Sequence, residues 1–337
     1  MASVNSQPDI LSQAESSRAL RFDPGERKLL RVWLRLFLFF LPTVVLIAPV
    51  VYSVDPFARF AKPSIVPDSI RAGYGVQLNQ TLWKLPTYNR DPKPNILLGD
   101  SETARLPDKL ISDMTGERYA NLAYGGGTLR EAISTFWFAS KRTHLRRVFF
   151  GLSFMEYNAY PRDRVIQAEE MVRNPALYFL NSDVLEATTY DIADAYFHHH
   201  TYLIPQVDRD VFWTSQIKYL EAYYKRETDP GSLRDEMKKI VAYCQAQGIS
   251  IVFLITPQHM DAQRQIGALG VENRYQQFKN DLRSMAPVYD CDIDTDFTRD
   301  KNNYSDPFHL TDSAAKQLVA DLWSGNLKWC LAAAAAQ

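Results

Sequence analysis

Five short apolar runs, each stopped by turn-forming residues, constrain the architecture of this chain more than any other feature. They lie at 95–99, 119–124, 147–152, 250–256 and 287–291. Their length and lack of alternation read as buried strands. Helical patterns separate them, at 103–115, 128–142, 232–247 (with a Ser cap and Gly248 as its stop), 271–285 and 312–323. Strands that alternate with helices, and that are apolar throughout, argue for an α/β fold: a parallel sheet covered by helices on both faces. The third and fourth runs are about a hundred residues apart, more than one helix can fill. An insertion at 154–231, rich in Tyr, Phe, Trp and His, is therefore expected between strands 3 and 4.

A second constraint lies upstream. Residues 36–54 (LFLFFLPTVVLIAPVVYSV) carry no charge. About 19 residues give roughly 28 Å of helix, close to the thickness of a bilayer core. A cleaved signal peptide has a shorter apolar region, nearer the start, so a retained transmembrane helix at 29–54 is the expectation. Arg18, Arg21, Arg27, Lys28, Arg31 and Arg35 precede it, whereas Asp55, Arg59 and Lys62 follow. This bias places the N-terminus in the cytoplasm and the rest outside it, the periplasm in a Gram-negative cell. Residues 1–28 read as a polar cytoplasmic tail. Residues 55–92, with five prolines, read as an extended stalk packed on a domain at 93–330. The closing LAAAAAQ reads as an appended low-complexity tail. The formal net charge of −1 supplies no global field toward nucleic acid. The three cysteines match no zinc spacing. In an oxidising compartment two can pair, but buried thiols acting as small apolar groups are the plainer expectation.

Ligands of open α/β sheets bind beyond the carboxyl ends of the strands. Those ends carry Asp100 and Ser101; Gly125, Gly126, Gly127 and Thr128; Ser153, Phe154 and Met155; Gln258 and His259; and, before the last helix, the DPFHLTD stretch from Asp306 to Asp312. These are the parts of a serine acyl-transfer site. A serine hydroxyl needs a base, and the base an orienting acid. His309 can be the base and Asp306 the acid, three residues apart in one turn. Backbone N–H groups at Ser101 and the glycines can hold an oxyanion. The structural alternative for Ser101 is a helix cap, and for the glycines a flexible turn.

The segments GDS (99–101), NLAYGGGT (121–128) and DPFH (306–309) resemble the Ser, Gly and Asp-x-x-His blocks of SGNH/GDSL hydrolases, over about 95–325 without the insertion. The resemblance implies a flavodoxin-like parallel sheet sandwiched by helices. It implies Ser101 as nucleophile, Asp306 and His309 as its partners, and Gly126 or Gly125 as an oxyanion donor beside Ser101. The family's Asn block has no match. The third run ends GLSFMEYN, with Ser153 where that Asn would stand and Asn158 beyond. The third donor is Ser153, Asn158 or absent. With the anchor, the pattern is similar to membrane-anchored SGNH-like proteins of alginate O-acetylation, teichoic acid D-alanyl transfer and exopolysaccharide assembly. The implied work is O-acylation, usually acetylation, of a polysaccharide. Its implied partners are a membrane-bound O-acyltransferase as acyl supplier, the polysaccharide acceptor and a polysaccharide synthase complex. No cofactor is implied. An esterase or deacetylase would use the same triad, and a non-catalytic scaffold is the reading that the missing Asn keeps open.

Other features are weaker. His198, His199 and His200 are consecutive and cannot readily face one metal ion; a surface stretch is expected. The insertion aromatics Tyr190, Tyr196, Phe197, Tyr202, Phe212, Trp213, Tyr219, Tyr223 and Tyr224 serve as its own core or, for some, as platforms for sugar rings. Gln258 and His259 are candidates for substrate contact.

Overall fold

The computed structural model describes residues 23–60, 62–203, 207–226 and 228–334. Six strands form one sheet: β1 (Asn95–Leu98), β2 (Tyr119–Asn121), β3 (Arg147–Leu152), β4 (Ser250–Ile255), β5 (Val288–Asp290) and β6 (Leu331–Ala333). Their order is β2-β1-β3-β4-β5-β6. The first five are parallel, in the order expected of a flavodoxin-like sheet. β3 and β4 form its centre, with Val148, Phe150, Phe253 and Leu254 buried between helical layers. β-branched and aromatic side chains pack well on such a doubly covered pleat.

The flanking helices start and stop where local chemistry directs. Thr128 Oγ1 accepts from Glu131 N–H at 3.1 Å, and the Glu131 carboxylate accepts from Thr128 N–H at 3.0 Å, which caps the helix Leu129–Ser140 reciprocally. The helix expected at 103–115 is two pieces, Ser101–Ala104 and Asp108–Thr115. Pro107 lacks an N–H and disfavours helical geometry at Leu106, so the chain breaks there. Ser232 opens its helix at the first helical position rather than as its cap, which is Gly231. A helix at Met260–Ala268 was not legible in the sequence.

Three further departures change the chain's organisation. Residues 55–92 are not an extended stalk: Asp68–Leu78 and Gln80–Arg90 are helical. They bury Tyr74, Leu82, Leu85 and Tyr88, with Asn79 capping the second through Leu82 N–H at 3.1 Å. Apolar burial outweighs the proline content, since Pro67 precedes the first helix and only Pro86 is internal. The C-terminal tail supplies β6, antiparallel to β5. Cys291 and Cys330 form a disulfide, whereas Cys244 is a buried thiol whose pKa burial pushes up to about 12.

The helix Pro24–Val54 is 31 residues long. Among the described residues no helix is long and apolar enough to cross a membrane. The expected transmembrane segment includes side chains at 39, 40 and 42–44, which lie outside the described residues, as does most of the expected cytoplasmic tail. The insertion holds the helices Arg164–Arg173, Pro175–Phe179, Ser182–Phe197 and Arg209–Tyr224. The histidine run ends the third of these, with His198 at φ +52°.

Candidate active site

The carboxyl end of β1 turns sharply at Gly99, whose φ of +142° favours glycine. A methyl group there would meet Gly151 O at 2.6 Å. The turn delivers Ser101 to the first position of a short helix capped by Asp100, not by Ser101. Asp100 Oδ1 accepts from Glu102 N–H at 3.0 Å and from Thr103 N–H at 3.3 Å. The Ser101 hydroxyl is thus released from capping.

It meets His309 instead, 208 residues downstream. Ser101 Oγ lies 2.7 Å from His309 Nε2, and His309 Nδ1 lies 2.7 Å from Asp306 Oδ2. A carboxylate only accepts, so Nδ1 carries the proton and Nε2 is left to accept from the serine. Burial works to raise the Asp306 pKa. The His309 hydrogen bond and the N–H groups of Phe308 and His309 (2.9 and 3.0 Å to Oδ1) outweigh it and hold the carboxyl below its ordinary value. The acid therefore stays ionised and fixes the tautomer of the base.

The glycine loop packs against this corner. A methyl on Gly127 would meet Gly99 O at 2.9 Å, so the two loops touch through backbone. Gly126 has φ +54°. Its carbonyl accepts from Arg162 and Arg164, and Arg164 is fixed to Glu131 at 2.7 Å. No acceptor occupies the N–H of Gly126 or of Ser101 among the described residues. Both residues line one cleft of about 380 Å³ with His309. These two N–H groups can hold an oxyanion beside the serine.

Five residues proposed from the sequence are placed elsewhere. Gly125 N–H donates to Gln80 Oε1 at 2.6 Å and is therefore occupied. Ser153 is buried and donates to Asp100 Oδ2 at 3.0 Å, bracing the cap rather than facing the cleft. Asn158 is buried; its Oδ1 accepts from Thr228 Oγ1 at 2.8 Å. Gln258 and His259 are also buried and line no part of the cleft. Gln258 Nε2 donates to Glu102 Oε1 at 2.7 Å, and His259 Nδ1 caps its helix through Asp261 N–H at 3.1 Å. Following a strand end was not enough, because a side chain there can point into the protein.

Asn121, Gln80 and Glu156 contribute to the site without having been foreseen. Asn121 donates to the carbonyls of Thr103 and Leu106, both at 2.8 Å, and ties down the helix that carries Ser101. Gln80 comes from the segment expected to be a stalk. Tyr219 and Tyr223, from the helix Arg209–Tyr224, and Glu156, beyond β3, line the cleft. The asparagine and the glycine block share one motif, a signal that could have flagged Asn121.

One packing contact yields a direct test. A methyl on Gly151 would stand 1.9 Å from Thr103 Oγ1 and 2.8 Å from its Cγ2. Gly151→Ala is expected to destabilise the protein by about 1–3 kcal/mol, as overpacking does. Thr103→Ala should recover part of this, seen in thermal melts of the single and double variants as a coupling of about 1 kcal/mol. Strict additivity would mean that the two sites do not meet.

No family model matches the chain, and no curated protein does. Solved structures similar to it include three of bacterial proteins. One, described as a platelet activating factor from Streptococcus pneumonia, is 12% identical, with 74% of this chain and 92% of that one covered and a TM-score of 0.38. A lipolytic protein of the G-D-S-L family from Desulfitobacterium hafniense is 13% identical over 69% and 99%, TM-score 0.34. An acylhydrolase from Bacteroides fragilis is 14% identical over 74% and 98%, TM-score 0.35. At these values the likeness carries no statement about activity.

Proposed function

We propose that this chain is a membrane-anchored serine O-acyltransferase, most simply an acetyltransferase, acting on a cell-surface or secreted polysaccharide. The observation that carries it is the hydrogen-bonded chain Ser101–His309–Asp306 at the mouth of a cleft with two unengaged backbone donors. His309 Nε2 takes the Ser101 proton as Oγ bonds to the acyl carbonyl carbon. The leaving group departs with that proton, and the acyl group remains on Oγ. A sugar hydroxyl then gives its proton to His309 and attacks the acyl carbon, and Ser101 recovers the proton as it leaves.

Several observations support the finer parts of this reading. The disulfide favours an oxidising compartment. The helix Pro24–Val54 exposes Leu34, Phe37, Leu46 and Val50, as an anchor would. Tyr219 and Tyr223 line the cleft, and aromatic rings there suit a sugar. With the N-terminus cytoplasmic and the site outside, the activated acyl group must cross the membrane. A membrane-bound O-acyltransferase is the proposed supplier, and a polysaccharide synthase complex the proposed setting.

The test uses the full-length protein in detergent with 4-nitrophenyl acetate, with and without soluble oligosaccharides. Acetylated oligosaccharide, seen by mass spectrometry, is the expected product. Acetate alone in both cases would make water the acceptor and the protein an esterase. Release that does not depend on Ser101 would leave the scaffold reading.

A further inference from the structure

The segment beyond β3 bears the puzzle left by the missing Asn. Ser153 is turned to Asp100 and Asn158 to Thr228, so neither reaches the cleft. Between them, Glu156 does: it lines the same cavity as Ser101, Gly126 and His309 while only 6% of its surface is exposed. Its Oε2 is buried with no hydrogen-bond partner, and no basic side chain among the described residues is within ion-pair distance. A buried carboxyl oxygen without a partner is costly and asks for a ligand.

We propose that Glu156 is the third donor of this site, its carboxyl O–H hydrogen-bonding the carbonyl oxygen of the acyl group at Ser101. The proposal rests on the acyl-serine reading of Ser101. An ionised carboxylate would repel a developing oxyanion, so the group must be neutral to serve. Its surroundings favour that form: burial raises its pKa well above the ordinary glutamate value, and the charge of Asp100 adds to the effect, with Arg162 opposing. A carboxylic acid kept neutral in this way can donate to a charge that grows in the transition state. The helical turn that begins at Ser153 sets its placement, through Glu156 N–H to Ser153 O at 3.1 Å. Ser153 in turn is held by Asp100, the cap of the helix that carries the nucleophile. Donor and nucleophile are thereby fixed to one another through two residues.

The test follows the pre-steady-state burst and turnover of 4-nitrophenyl acetate by full-length protein. Glu156→Gln keeps a donor of the same size and is expected to stay within about threefold of the parent. Glu156→Ala is expected to lose on the order of 10²-fold in kcat with KM little changed, the scale of losing one oxyanion donor. Should the alanine variant not fold, Glu156→Met, of similar size and without a donor, takes its place. Equal losses in the Gln and Ala variants, or no loss in either, would overturn the proposal while leaving the nucleophile intact. If the parent shows no release dependent on Ser101, the acyl-serine reading falls and this one with it.

Discussion

Ser101→Ala is expected to abolish the burst of 4-nitrophenol and to lower turnover by a factor on the order of 10⁴ or more. The expectation follows from roles that are not interchangeable. Among the described residues, the hydrogen-bond partner of His309 Nε2 is Ser101 Oγ, at 2.7 Å, and removing that oxygen leaves the base nothing to activate but water. Folding should be untouched. Ser101 is partly exposed, and the helix it opens is capped by Asp100 through two N–H groups. A Ser101→Ala variant with unchanged melting and no activity would separate chemistry from stability. If the variant kept its burst, the nucleophile would be another group and the triad geometry incidental.

The second large effect concerns the disulfide. Cys291 and Cys330 are 39 residues apart, and the segment between them contains both Asp306 and His309. Closing a loop of that size restrains the unfolded chain by roughly 3–4 kcal/mol. Cys291→Ala with Cys330→Ala is expected to lose about that much, with a melting temperature roughly 5–10 °C lower. Denatured, unreduced protein should show one reactive thiol, Cys244, and three after reduction. Three thiols before reduction would deny the bridge, and with it one support for an extracytoplasmic site. An unchanged melt in the double variant would show that the restraint is offset elsewhere. The antiparallel pairing of β6 with β5, in which Asp290 faces Leu331, is the contact that could offset it.

Much of the fold was legible because its signals are local. A buried parallel strand must be apolar on both faces, so 147–152 and 250–256 could be read directly, within one residue at either end. The order of the sheet matched expectation because crossovers in such folds have few alternatives. Ser101, Asp306 and His309 could be named because a short motif surrounds each. The Asp-x-x-His turn in particular places acid and base within reach of one another before any long-range contact forms.

What could not be read has one physical cause: it depends on which way a side chain points once distant segments pack. Ser153, Asn158, Gln258 and His259 all stand near strand ends, yet their partners are Asp100, Thr228, Glu102 and Asp261. Their hydrogen-bonding groups face inward, and local sequence does not encode that choice. The same holds for the cysteines, since three thiols allow three pairings and only the approach of the C-terminal strand selects one. By itself, the sequence determined the alternation of elements and the three residues of the hydrogen-bonded chain, through periodicity and short spacings. Tertiary structure decided which donors face the serine: Gly126 released and Gly125 occupied, Ser153 withdrawn to the cap, and Glu156 left unpaired in the cleft. Each of those outcomes is a competition for hydrogen bonds between segments far apart in the chain.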